Sequence, residues 1–218
     1  MKIVAINGSP KPSHSTSGSI INKLAELMNQ DITTYRALDL QRNIEHDYLQ
    51  KYLLTADVLL VVFPLYIDCL HSALLDILPR LEHAAKYSDT ALPTVYAIVN
   101  CGLYDAEQNT TALRIVENFC KRAKLTWGYG IGIGCGGMID GNEKRIIPKG
   151  PLRNIYYALG EMSKAISLLQ HQRQSNVYVR ARVPRFVYHL LGDLGLRIMF
   201  RKSSSKVKIN ARPHSTCW

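Results

Sequence analysis

Short apolar runs alternate with helical stripes along most of this chain. Strand-like segments fall at Lys2–Asn7, Ile32–Ala37, Val58–Phe63, Thr94–Asn100 and Trp127–Cys135. Between them, apolar residues recur at i, i+3 and i+4: Ile20, Leu24, Leu27 and Met28; Leu70, Leu74, Ile77, Leu78 and Leu81; Ala112, Val116, Phe119, Cys120 and Ala123; and Leu152, Ile155, Leu159, Met162 and Ile166. That spacing places each set on one face of a helix. Tyr48, Leu49, Tyr52 and Leu53 suggest a shorter helix. Five strands alternating with five helices predict an α/β fold, a parallel sheet between two helical layers, with right-handed crossovers. Pro79 lies inside the second stripe and predicts a kink or break there.

In Trp127–Gly136 glycine occupies every second position. Side chains alternate faces along a strand, so one face is expected to be bare backbone and the other to carry Trp127, Tyr129, Ile131, Ile133 and Cys135. Such glycines usually mark close approach of another element. The long helix after Pro151 is the expected neighbour, with a subunit interface as the alternative.

The chemistry concentrates where the first strand ends. Ile3-Val4-Ala5-Ile6-Asn7 runs into Gly8-Ser9-Pro10-Lys11, then into the hydroxyl-rich Ser13–Ser19, and a helical stripe follows. Free N–H groups and the positive end of a helix dipole meet at such a junction and make an anion site. Ser9, Ser15, Thr16 and Ser17 add hydroxyls and Lys11 a positive charge, which suits a phosphate. A plain helix cap is the competing reading, since one Ser or Thr suffices for capping.

In open α/β sheets ligands sit beyond the carboxyl ends of the strands. The third strand ends in Pro64-Leu65-Tyr66-Ile67 and the fourth in Asn100-Cys101-Gly102-Leu103-Tyr104. In the strand order 2-1-3-4-5 these two loops converge on the first. Apolar and aromatic walls with close backbone at Gly102 suit a flat ring. A phosphate at one end and a planar heterocycle at the other describe a mononucleotide, and FMN fits best.

The pair of motifs, Gly-Ser-Pro-Lys with its Ser/Thr run and Ala56-Asp57 leading to Phe63-Pro64-Leu65-Tyr66, resembles the flavodoxin-like NAD(P)H-dependent FMN reductases over roughly residues 1–135. The resemblance implies a flavodoxin-like three-layer sandwich with a five-stranded sheet of order 2-1-3-4-5. It implies that Ser9, Lys11, Ser15, Thr16 and Ser17 hold the phosphate. Pro64, Leu65, Tyr66 and Ile67 would flank the ribityl chain and ring, and Asn100, Cys101, Gly102 and Tyr104 would meet the isoalloxazine. The implied activity is an FMN-dependent oxidoreductase with NAD(P)H as co-substrate and a quinone, nitro or azo compound, flavin or protein as acceptor. A flavodoxin-like electron carrier without turnover of its own is the rival. Ile67 departs from the aromatic residue often found after that tyrosine. The compact cysteine cluster of the iron–sulfur branch is missing, so no such centre is expected. No side-chain acid, base or metal ligand is assigned.

Composition narrows the class. Of 218 residues 47% are hydrophobic and 20% charged, ordinary values for a globular chain. The five cysteines include no C-x-x-C pair, and their odd number argues against a disulfide framework. His14, His71 and His83 fit no short zinc motif. No apolar run approaches the roughly 20 residues of a membrane span, and Lys2 leads straight into a strand pattern, so a cytoplasmic location is expected.

The net charge of +10 is uneven: residues 1–170 carry 17 Lys+Arg against 16 Asp+Glu, and residues 171–218 carry 10 basic groups against Asp193 alone. The chain therefore divides into a domain over 1–170 and a basic extension over 171–218, and no nucleic-acid partner is expected. The extension's apolar stripe, from Phe186 through Leu190, Leu191, Leu194, Leu196, Ile198, Met199 and Phe200, is expected to pack on the domain or on a second subunit of a homodimer. Weak contact with an anionic membrane surface is the alternative.

Overall fold

The computed structural model describes residues 1–42, 49–168, 175–190, 192 and 194. Tyr48, Leu191, the apolar residues of 196–200, the Ser/Lys-rich 202–206 and Cys217 lie outside the described residues.

Six parallel strands form one sheet: β1 (Ile3–Asn7), β2 (Thr33–Arg36), β3 (Val58–Pro64), β4 (Thr94–Asn100), β5 (Thr126–Gly134) and β6 (Val177–Arg180), in the order β2-β1-β3-β4-β5-β6. The first five reproduce the expected order, and β3 and β4, the apolar runs, are the central, buried strands. A parallel sheet covered on both faces needs such continuous apolar runs. β2, with the sequence Thr-Thr-Tyr-Arg, is a half-exposed edge.

Helices α1 (Thr16–Met28) and α5 (Arg153–Ser167) pack together on one face. On the other face α2 (Ala37–Arg42), α3 (Ser72–Lys86) and α4 (Thr110–Ala123) close over a core that includes Val4, Ile6, Leu59, Val61, Phe63, Val95, Ala97 and Val99. A helical turn over Leu49–Leu54 replaces the short helix read from Tyr48 onward and buries Leu53 and Leu54.

Three expectations are corrected. The sheet has a sixth strand, β6, inside a compact unit that runs from Met1 to Arg182. Its crossover from β5 passes over the α1/α5 face while stepping in the same direction as β3 to β4 and β4 to β5, whose crossovers use the opposite face. That connection therefore has the rare left hand, and four residues inside a basic stretch gave little signal. Second, α3 runs unbroken through Pro79. Pro79 and Leu75 both lie on the exposed face, so the carbonyl that loses its partner can turn to water.

Third, the α5 helix does not cover the glycines of β5. A Cβ on Gly130 would meet Leu113 of α4, one on Gly132 would meet Tyr178 of β6, and one on Gly134 would lie 2.5 Å from the Tyr104 carbonyl oxygen. The bare face receives α4, β6 and the β4–α4 connection. The alternation is also broken: Val95 pairs with Trp127 but Ala97 with Gly130, so β5 carries one extra residue, a bulge. Trp127 consequently joins the α3/α4 core rather than the side of Tyr129. Among the described residues no helix is long and apolar enough to cross a membrane.

Candidate functional site

The turn after β1 is held from within. Gly8 has no room for a side chain, since a Cβ there would lie 2.4 Å from Leu74 and 2.6 Å from Phe63. Asn7 accepts a hydrogen bond from the Ser9 N–H at 3.0 Å and donates to Ser15 Oγ at 3.4 Å, tying both ends of the loop. Ser15 is the N-cap of α1, its Oγ accepting from the Gly18 N–H at 3.0 Å. Thr16 and Ser17 are then the first two helical residues, whose N–H groups have no carbonyl within the helix. The first turn contains no acidic residue, so the positive end of the dipole is left uncompensated.

These groups open on a cleft of about 250 Å³ lined by Ser9, Lys11, Thr16, Ser17, Pro64, Leu65, Tyr66, Asn100, Gly102, Gly136 and Gly137. Three strand ends meet there as the topology requires: the Leu65 N–H donates to the Asn100 carbonyl, and the Gly136 N–H to the Cys101 carbonyl. Lys11 is the charged residue of the lining, which holds no carboxylate.

Hydroxyl protons are left available by this network. Buried Asn100 donates both to Ser17 Oγ at 3.0 Å and to the Phe63 carbonyl at 3.1 Å. Because Ser17 Oγ accepts there, its proton can be donated to a ligand. Ser9 Oγ likewise accepts from the Lys11 N–H at 3.3 Å. An oxyanion meeting such donors gains charge-assisted hydrogen bonds.

The opposite wall is apolar. Tyr66, 42% exposed, meets the His71 ring edge-on at 5.6 Å between centroids. His71 is itself fixed as the N-cap of α3, its Nδ1 accepting from the Ala73 N–H. Tyr66 and Cys69 exchange two backbone hydrogen bonds across a tight turn whose central residues, Ile67 and Asp68, have φ of 47° and 57°. Two positive φ values mark a turn of type I′, which favours Asn and Gly; a β-branched residue there is strained.

Four expected residues do not line the cleft. Ser15 acts one step removed, through its cap. Ile67 is 98% exposed at the tip of its turn. Cys101 is buried behind the wall, its thiol directed to the carbonyls of Leu103 and Asp105 and its sulfur receiving the Asn109 amide. Burial pushes its pKa above the ordinary thiol value, which keeps it protonated and unreactive. Tyr104 lies under the Arg180 guanidinium, 4.8 Å from the ring centroid.

Sequence reasoning missed Gly136, Gly137 and Asn7. Both glycines follow the carboxyl end of β5, where the same strand-end rule applies, but the regular glycine alternation before them reads as a packing signal. Cys135, at φ 56°, turns the chain so that Gly136 faces Cys101 and Asn100. Further along the loop, Gly141 at φ +64° abuts the His14 carbonyl of the first loop, bracing the hydroxyl-rich turn from the far side.

No family model matches the sequence, and no curated protein does. The chain is similar to solved structures. An NADH:FMN oxidoreductase in its apo form aligns with a TM-score of 0.56 at 15% identity, over 77% of this chain and 89% of that one. The general stress protein 14 of Treponema denticola, solved in complex with FMN, aligns at 0.54 and 18%, over 75% and 99%. An azoreductase aligns at 0.50 and 12%, over 77% and 99%. With the strand order and the helices on both faces, these likenesses establish that the chain has the flavodoxin-like fold, extended by one strand.

Proposed function

We propose that this chain binds FMN in the cleft and is an oxidoreductase that takes hydride from NAD(P)H and passes electrons to a separate acceptor. A quinone, a nitro or azo compound, a free flavin or a protein would serve as acceptor. One observation carries the reading: a single cleft joins an anion-binding end to an apolar end with exposed backbone. Ser9, Lys11, Thr16 and Ser17 would hold the phosphate. Pro64, Leu65 and Tyr66 would flank the ribityl chain and ring, and Asn100, Gly102, Gly136 and Gly137 would face the ring's polar edge. Gly102 has nothing within 4 Å of a built Cβ, so a flat group can approach its backbone.

The residues present fit the group. The flavin, when bound, supplies the two-electron redox chemistry; the protein binds, orients and tunes it. The chain's own part is positional. Asn7 and Ser15 hold the turn, Asn100 aims Ser17, and His71 sets Tyr66. No side chain needs to act as acid or base for this assignment. The likeness to an NADH:FMN oxidoreductase and to an FMN complex supports the reading.

The test is the visible spectrum of the purified protein with added FMN, followed by release and identification of the bound compound. A flavin spectrum, and steady oxidation of NADH or NADPH with a quinone, are expected. A protein that takes up no FMN refutes the cofactor assignment. One that takes it up but turns over with no acceptor is a carrier.

A further inference from the structure

The described residues from Val183 onward belong to a unit separate from Met1–Arg182. Pro184 opens a helix over residues 185–190, and residues 192 and 194 are helical as well; a fixed proline φ suits a helix start. The Tyr188 N–H donates to the Pro184 carbonyl at 3.1 Å. Phe186, Leu190 and Leu194 follow one another at i, i+4 and i+8 and so share one face. They are 74%, 66% and 53% exposed. Three large apolar side chains aligned and left in water mark a surface that binds something.

Charge decides what. Residues 183–218 hold seven Lys+Arg against Asp193 alone, whereas residues 1–170 are almost balanced. A second copy of the chain would set two strongly basic segments side by side, and residues 1–182, with 20 Lys+Arg against 16 Asp+Glu, have no acidic surplus to receive one. A nucleic acid would satisfy the charge and leave Phe186, Leu190 and Leu194 in water. A surface of anionic headgroups over acyl chains meets both needs at once. We infer that this segment docks on an anionic lipid surface, with Phe186, Leu190 and Leu194 entering the boundary between headgroups and acyl chains and the basic residues meeting the headgroups. This attachment is peripheral and independent of the cofactor reading.

The test uses the full chain in co-sedimentation with vesicles of phosphatidylcholine alone or with about one third phosphatidylglycerol. Binding to the anionic vesicles is expected to be at least about tenfold tighter and to weaken sharply in about 0.5 M salt. The triple variant Phe186→Ser/Leu190→Ser/Leu194→Ser changes exposed positions, keeps the circular dichroism of the parent, and should bind about tenfold or more weakly. No binding to anionic vesicles, or undiminished binding by the triple variant, would overturn the inference. Two other results overturn it as well. A lipid-free dimer that the triple variant converts to monomer makes the stripe a homotypic interface. Duplex DNA or RNA that displaces the vesicles, and binds parent and variant equally, assigns the basic residues to nucleic acid.

Discussion

Gly141→Ala tests whether the β5–α5 loop sets the shape of the anion site. A Cβ at this position lies 2.1 Å from the His14 carbonyl oxygen and 2.7 Å from its carbon. Ordinary contacts begin at 3.4 Å, so the two loops must separate by about 1 Å, a shift of the size that forces backbone movement at about 1–3 kcal/mol. Gly141 also sits at φ +64°, where an L side chain adds about 1 kcal/mol of strain, partly offset by a stiffer unfolded chain. Gly150 is the matched control: its φ is +86°, but nothing lies within 4 Å of a built Cβ. Gly150→Ala therefore carries the conformational penalty without the clash. His14 directly precedes Ser15, the cap that fixes Thr16 and Ser17, so displacing it should remove at least one hydrogen bond to the phosphate. A bond to a charged group is worth about 1.5–3 kcal/mol, or roughly a 10- to 150-fold rise in Kd. FMN titration by fluorescence quenching, with melting curves of both variants, reads the two effects separately. Gly150→Ala should keep the parent affinity. A folded Gly141→Ala that binds FMN as tightly as Gly150→Ala would refute the bracing argument.

Ile67→Asn should raise Tm by about 2–4 °C, since Asn accepts positive φ and the exposed isoleucine buries nothing, worth about 1 kcal/mol; a lower Tm would contradict the strain. Gly132→Val should destabilise by about 2–3 kcal/mol, because its Cβ would meet Tyr178 at 2.7 Å and the Ala106 carbonyl at 3.1 Å, whereas Gly160→Ala, in open space on α5, should stabilise by about 0.5–1 kcal/mol. Urea titrations of the two would expose a wrong sign in either. Cys120 is pushed up to about 12, first by burial and then by Glu117 beside it, so the fold favours its neutral thiol. That contribution is complete below the unfolded pKa near 9 and is lost as pH rises from there toward about 12, at up to about 1.4 kcal/mol per pH unit. Stability between pH 8 and pH 10.5 should therefore fall less steeply in Cys120→Ala than in the parent, and equal slopes would remove Cys120 as a cause.

The central sheet was legible because β1, β3 and β4 are apolar runs that only a doubly covered sheet can bury, and the helical stripes gave α1, α3, α4 and α5 directly. β6 was not legible. Val177-Tyr178-Val179-Arg180 is short, lies next to masking basic residues, and is reached by a crossover of the hand that topology rules discount. At the site, the hydroxyl loop and Pro64-Leu65-Tyr66 could be placed from their positions at strand ends. The depth of each residue could not. Cys101 and Gly102 are neighbours in sequence just beyond the end of β4, yet one lies behind the wall and the other on it: the Cys101 N–H donates to the Ile133 carbonyl and the Cys101 carbonyl accepts from the Gly136 N–H, long-range bonds that no local pattern announces. Ile67 faces solvent for a different reason: the reciprocal hydrogen bonds of Tyr66 and Cys69 close a two-residue turn that a loop reading leaves open.

The same pairing explains why β5 carries so many glycines. Gly130, Gly132 and Gly134 let α4, β6 and the Tyr104–Ala106 connection press onto bare backbone, and Gly136 then sits against the Cys101 carbonyl with a built Cβ 2.9 Å away. That closeness holds the β4 and β5 loops together where the apolar end of the cleft is formed. Cys135, in the left-handed region, redirects the chain at that point, and the continuing loop reaches His14 through Gly141. One strand and its loop thus reach both ends of the cleft: the apolar end through Gly136 and Gly137, the hydroxyl-rich end through Gly141 and His14. The loop after β5 therefore contacts both the Cys101 turn and the His14 turn, so a shift in it is felt at either end. If FMN binds as proposed, substitutions along β5 should weaken it in the same fluorescence titration even where they touch no residue of the cleft.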